Sequence, residues 1–310
     1  MQPPTPEAIH EPDAAGPAGE VASSGGSPLP ELPQREPSAR HGRAASVRRR
    51  SARRAPVGFV PLAAVGLALL ALPLAGLVVR TPWRQLPTDL AAPGVLTALR
   101  LSLVCSLTAV AVSCVIGVPL AWLLARVPFR GRSVARALVI LPMVLPPVVG
   151  GVALLLAFGR HGLIGQWLDR AFGITLPFST AGAVMAETFV AMPFLVITVE
   201  AGLRSLGQRY EDAAATLGAG RWTTFRRVTL PLIAPALGAG AALCWARALG
   251  EFGATITFAG NLPGRTQTMP LAVYVALQNN SGAAMSLSLV MLVVSLAVLV
   301  ALRGHWFRSR

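Results

Sequence analysis

Six stretches of the chain are almost continuously apolar: approximately 57–79, 100–125, 137–158, 180–203, 233–258 and 281–302. A helix needs about 20 apolar residues to cross the hydrocarbon core of a bilayer, and each stretch meets or nearly meets that length. The pattern predicts an all-α membrane protein with about six transmembrane helices. Pro61, Pro73, Pro119, Pro142, Pro146, Pro147, Pro193 and Pro235 fall inside these stretches. That is compatible with spanning, because neighbouring groups in a membrane bundle can satisfy the backbone groups a proline frees. Residues 1–55 show no hydrophobic period and are rich in Pro, Gly, Ala, Ser and Arg. They read as a disordered cytoplasmic tail ahead of a transmembrane domain at 56–310. The first apolar run lies too far from the start, and is too long, for an ordinary cleaved signal peptide.

Composition agrees with this picture. Hydrophobic residues make up 54% of the 310 positions and charged residues only 13%, against about 25% charged in a typical soluble domain. The net charge of +14 comes from Arg alone, since the sequence has no Lys. A P-loop needs a Lys to reach the nucleotide phosphates, so no P-loop exists in this chain. If this chain works with ATP, hydrolysis must occur on a separate subunit, and this chain itself is expected to bind no cofactor and to be no enzyme. The basic stretch Arg40 to Arg54 reads as a topology anchor that touches the lipid bilayer surface rather than as a nucleic-acid site. Cys105, Cys114 and Cys244 lie in apolar segments without metal-ligand spacing, and His10, His41, His161 and His305 form no cluster. No catalytic triad and no metal site are expected. Arg also sets the orientation. With the N-terminus inside, 20 Arg fall on inner segments and five on outer ones, which puts both termini in the cytoplasm.

The connection at 204–231 is longer and more polar than the other inner loops. Tyr210 to Leu217 favours helix, with Glu211 and Asp212 suited to its start, and Gly218 and Gly220 break it. Arg221 to Thr229 forms a second short helix that Pro231 is expected to end, with Trp222 and Phe225 on one side. Two readings fit this unit: a knob for a groove on a cytoplasmic partner, or an interfacial helix lying on lipid. The spacing then becomes specific. Asp212-Ala213-Ala214, Gly218 and Val228-x-Leu230-Pro231 resemble the EAA loop of bacterial ABC importer permeases. In that pattern Glu-Ala-Ala is followed after three residues by Gly, and after nine more by Ile-x-Leu-Pro. Asp replaces Glu and Val replaces Ile here. The resemblance implies a type I importer-like bundle in the bacterial inner membrane, with this loop as the coupling loop to an ATP-hydrolysing subunit.

The stretch from Ala246 to Tyr274, with Gly250-Glu251-Phe252-Gly253-Ala254-Thr255 and Pro263-Gly264-Arg265-Thr266-Gln267-Thr268, is similar to that of molybdate permeases. Sulfate permeases share its start and its Ala259-Gly260-Asn261 core. The likeness covers about 95–303. It implies a homodimer of this chain, two P-loop ATPase subunits and an extracytoplasmic oxyanion-binding protein, with molybdate or tungstate as cargo and sulfate or thiosulfate as the near alternative. A secondary transporter independent of ATP is the alternative of a different class, and a membrane anchor or sensor that transports nothing is another. At helical spacing Arg247, Glu251 and Thr255 share one face, continued by Gly240 and Cys244. Arg247 and Glu251 either neutralise each other or meet the substrate, while Thr255, Thr257 and glycine N–H groups supply donors to an oxyanion. Glu187 is a buried carboxylate with a structural or a proton-coupling reading. Asn261, Arg265 and Gln267 belong to an outer loop or mouth.

Overall fold

A computed structural model describes residues 59–306; the predicted tail at 1–55, with its basic stretch, lies outside them. Among the described residues all regular structure is helical. Long apolar helices form α1 (Phe59–Arg80), α3 (Val95–Arg126), α7 (Thr180–Leu206), α10 (Leu230–Leu249) and α13 (Ser281–Trp306). Shorter ones are α2 (Leu86–Leu90), α4 (Arg132–Val144), α5 (Pro147–Phe158), α6 (Gly165–Phe172), α8 (Arg209–Thr216), α9 (Arg221–Thr224), α11 (Gly253–Phe258) and α12 (Met269–Asn279). Five segments are long and apolar enough to cross a membrane: α1, α3, α7, the run Arg221–Leu249, and Ser281–Val298 of α13. The chain is a multi-pass membrane protein.

The stretch predicted at 137–158 is not one helix. Leu145 and Pro146 are extended, at ψ of 135° and 132°, and separate α4 from α5. The cause is the tandem Pro146-Pro147: a proline pushes the residue before it out of the helical region, so Leu145 and Pro146 are both displaced. Pro147 then opens α5, where a missing N–H has no cost. The isolated Pro73, Pro119, Pro142, Pro193 and Pro235 stay inside helices. Together α4 and α5 lie along α7, in place of the single span predicted at 137–158. Arg136 of α4 pairs with Glu200 near the end of α7 that leads into α8, and a Cβ on Gly150 of α5 would lie 3.2 Å from Phe189, closer to the other end.

A second correction concerns Pro231. The helix does not stop there, because Arg221–Leu249 is continuous. A π-helical turn at Phe225–Thr229 precedes α10, and the Leu230 N–H bonds to the Phe225 carbonyl, five residues back. The extra residue in that turn shifts the hydrogen-bond register just before a residue that has no N–H to donate. The real break comes later, at Gly250–Phe252, so the apolar stretch 233–258 is divided between α10 and α11.

The core is a sheaf of α3, α7 and α10. Ala109, Ala121, Leu124, Ala191, Leu195, Val199, Leu203, Ile233 and Cys244 are buried together there. Small residues let the backbones approach, which is how membrane helices gain packing when lipid is as apolar as the helix surface. A Cβ on Gly117 of α3 would lie 3.1 Å from both Leu195 and Val196 of α7. At the start of α7, Ser179 caps the helix by accepting from the Gly182 N–H at 3.0 Å. In contrast, α1 buries none of its side chains.

Candidate functional site

The predicted site residues occupy two separate places: the loop between α7 and α10, and the buried ground around the α10–α11 break. The loop is a folded elbow. After α7 the chain turns at Gly207, runs through α8 and turns again at Gly218, whose φ of +80° only glycine adopts without strain. A Cβ at Gly218 would meet nothing within 4 Å, so the requirement there comes from the backbone conformation rather than from space.

Glu211 holds the elbow in place. Arg126, the last residue of α3, donates from Nε to Glu211 at 3.1 Å and from Nη2 to the Gly207 carbonyl at 2.7 Å. Thr229, buried in the π turn, donates its hydroxyl to Glu211 Oε1 at 3.0 Å. The same end of the bundle is ionic elsewhere too. Arg132 Nε donates to the Leu124 carbonyl at 2.7 Å and so caps the end of α3, while Arg136 and Arg204 both pair with the buried Glu200. Asp212 and Ala213 are exposed, and Ala214, Val228 and Leu230 are half-buried, while Pro231 is exposed. Leu217 is 88% and Trp222 68% exposed, with Trp222 stacked on Phe225 at 5.7 Å between ring centroids. Large apolar side chains standing on a charged loop form a surface that suits a partner. In the sequence Glu211 is marked only as a helix-start residue. Its partner Arg126 lies 85 positions away, and nothing in the linear pattern links the two.

At the second place, Glu251 spans the break between two helices. It is 1% exposed; Oε1 accepts from the Ala254 N–H at 2.8 Å, capping α11, and Oε2 lies 2.6 Å from Arg247 Nη1 at the end of α10. Arg247, Glu251 and Thr255 therefore do not sit on one continuous helix as the spacing predicted, because Gly250–Phe252 interrupts it. Thr255 is fully buried, and its hydroxyl has no partner among the described residues; the same holds for one oxygen each of Glu187 and Asn261. Thr257 donates back to the Gly253 carbonyl at 2.8 Å. Arg265 is exposed, its carbonyl accepting from Thr180 Oγ1 at 2.9 Å, and Gln267 is half-buried nearby in sequence.

Glycines bring the two helix breaks face to face. A Cβ at Gly151 of α5 would fall 2.6 Å from Thr257 Cβ, and one at Gly253 of α11 would fall 2.7 Å from Pro147 Cβ. Beside the break an open cavity of about 440 Å³ is lined by Phe252, Val273, Tyr274, Leu277 and Met291, among others, with Phe252 and Tyr274 in tilted aromatic contact at 5.1 Å. Among the described residues no group of three or more His, Cys, Asp or Glu side chains is placed to hold a metal ion.

Comparison with known proteins gives consistent results. The family described as binding-protein-dependent transport system inner membrane component matches residues 117–310. The molybdenum transport system permease protein ModB of Mycobacterium tuberculosis is 47% identical over 230 residues, covering 74% of this chain and 86% of that protein. ModB of Escherichia coli K12 is 44% identical over 209 residues, covering 67% and 91%, and the sulfate transport system permease protein CysT of the same strain is 39% identical over 234 residues, covering 74% and 84%. Among solved structures, a bacterial ABC transporter involved in alginate import aligns with a TM-score of 0.67 at 18% identity, covering 81% of this chain and 94% of that one. The methionine transporter MetNI aligns at 0.54, also at 18% identity, covering 68% and 94%. At that identity these two speak for the bundle alone, which is that of importer permeases. From the profile match and the close relatives together, the chain belongs to the binding-protein-dependent transport system inner membrane component family.

Proposed function

We propose that this chain is the membrane-spanning permease of an ATP-driven importer that carries molybdate, or the similar oxyanion tungstate, into the cytoplasm. The observation that carries the proposal is the elbow at 204–231: a partly apolar knob, hydrogen-bonded to the helices at one end of the bundle. The relatives named as molybdenum permeases, at 47% and 44% identity, support the cargo. Sulfate is the second reading, favoured by the 39% identity to a sulfate permease.

The elbow and both termini face the cytoplasm in this reading, because 20 Arg then lie inside and five outside. One elbow per chain calls for two copies of the permease, each engaging one of two P-loop ATPase subunits. An extracytoplasmic oxyanion-binding protein delivers cargo to the opposite face. ATP and Mg are held by the ATPase pair. Its closure draws the two elbows together and switches the central cavity from inward- to outward-facing, a rigid-body change between two packed arrangements. Asp212, Ala213, Ala214, Gly218, Val228, Leu230 and Pro231 form the coupling unit, with Leu217 and Trp222 as its apolar contact.

Along the pathway, Arg247 is neutralised by Glu251 and does not cage the dianion. Release requires weak binding, so hydroxyl and backbone donors near Thr255, Thr257 and Asn261 suit a cargo that must pass on. The test is uptake into proteoliposomes containing the permease, its ATPase and the binding protein. ATP-dependent molybdate accumulation, competed by tungstate more strongly than by sulfate, is expected. Stronger competition by sulfate would move the cargo to the second reading. Uptake driven by a proton gradient in the absence of the ATPase would overturn the proposal.

A further inference from the structure

We propose that Glu211 is the positioning residue that makes the elbow and the membrane helices move as one body; this rests on reading the elbow as the part a motor subunit grips. A lever works only if it is stiff where it joins the load. Covalently, α8 joins the bundle through two glycine turns with positive φ, Gly207 at +69° and Gly218 at +80°. Left to those joints, a pull on α8 would swivel it rather than displace the spans.

Glu211 removes that freedom. Its carboxylate receives Arg126 from the end of α3 and Thr229 from the π turn that runs into α10, while Arg126 also holds the carbonyl of Gly207, the first joint itself. The Arg126 and Glu211 side chains are only 6% and 18% exposed, so water screens the pair less than it would a surface ion pair. The two helices so gripped, α3 and α10, flank α7 in the core, and a displacement of α8 therefore reaches the bundle through both. Asp212, the neighbouring carboxylate, is exposed and free to face the partner. Adjacent acids thus divide the work: one faces inward as a rivet, the other outward as a contact.

The test uses the complete transporter in proteoliposomes, reading three quantities for each variant: ATPase association, ATP hydrolysed, and cargo imported per ATP. Glu211→Gln keeps the contact surface of Asp212, Leu217 and Trp222, so association and hydrolysis are expected within about two-fold of wild type. Import per ATP is expected to fall about ten-fold, equivalent to about 1.4 kcal/mol between coupled and slack arrangements. Thr229→Val is expected to fall in the same direction by a smaller factor, and Thr229→Ser, which keeps the hydroxyl, to restore wild-type coupling. This pair also decides the matter if Glu211→Gln does not assemble. Unchanged import per ATP in Glu211→Gln or Thr229→Val overturns the rivet, as does a loss confined to ATPase association. If the wild-type complex itself shows no ATP-dependent import, the reading of the elbow fails and the rivet fails with it.

Discussion

Glu211 and Glu251 are each bound to an arginine, and they solve opposite problems. Glu211 meets Arg126 from 85 residues away and joins separate helices at the polar end of the bundle. Glu251 meets Arg247 only four residues away and bridges the gap between the end of α10 and the start of α11, deep in the apolar region. The first pair is partly shielded from water and adds a link between elements. In the second, a fully buried carboxylate is matched by a cation and a backbone donor, so that no bare charge is left where water is scarce. The difference teaches that Glu251, in the apolar region, is matched by its nearest partners in the chain, while Glu211, at the end of the bundle, serves long-range architecture.

This contrast can be broken at several points, and the largest effect is expected at the buried pair. Glu251→Ala removes the cap of α11 and leaves Arg247 without its counter-charge; breaking such a pair costs about 3 kcal/mol, at the lower end of the range for buried pairs because Arg247 is partly exposed. Thermal unfolding of the purified protein in detergent should show the loss, and Glu251→Gln, which keeps an acceptor for the Ala254 N–H, should lose less. Next comes the close approach of the two helix breaks. Gly151→Leu must force α5 and α11 apart, a misfit of about 1–3 kcal/mol, visible as a lowered melting temperature and reduced import even with the ATPase fully bound.

At the elbow the effects should shift from stability to association. Gly218→Val places a branched residue at a φ of +80°, a strain of about 1–2 kcal/mol confined to the turn. The bundle should melt as before, and retention of the ATPase on affinity purification should fall. The smallest effect on stability is expected from Trp222→Ala. It leaves the melting temperature unchanged, within about 0.5 kcal/mol for an exposed position, yet weakens ATPase binding. A melting loss at Trp222 equal to that of Glu251→Ala would erase the distinction between the two regions.

Much of the architecture was legible along the chain. Apolar runs of the right length, separated by arginine-bearing connections, announce membrane helices because the bilayer sets both length and polarity. The elbow was legible as a unit through its glycines and its spacing. Prolines are where pattern and structure part: Pro146-Pro147 reads as tolerated within a span and Pro231 as a helix stop, and the structure has each the other way round. Pro146-Pro147 breaks a span because two consecutive residues are pushed out of the helical region, whereas Pro231 is absorbed by a π turn that skips a hydrogen bond. The i, i+4 proximity of Arg247 and Glu251 is a local matter, and the sequence could suggest it; the break that runs between them is not visible in hydropathy.

By itself, then, the sequence determined the solvent of this protein, the approximate segments that cross the bilayer, the absence of a P-loop and the presence of a glycine-jointed elbow. These follow from properties that accumulate over short windows: apolar length, charge placement and backbone freedom. Tertiary structure alone decided that α7 is the axis of the core while α1, the more apolar of the two, buries none of its side chains. It also decided that Glu211 reaches Arg126 and that the two broken helices meet through Gly151 and Gly253. Those contacts depend on which faces of distant helices come together, a choice made by packing small side chains in three dimensions.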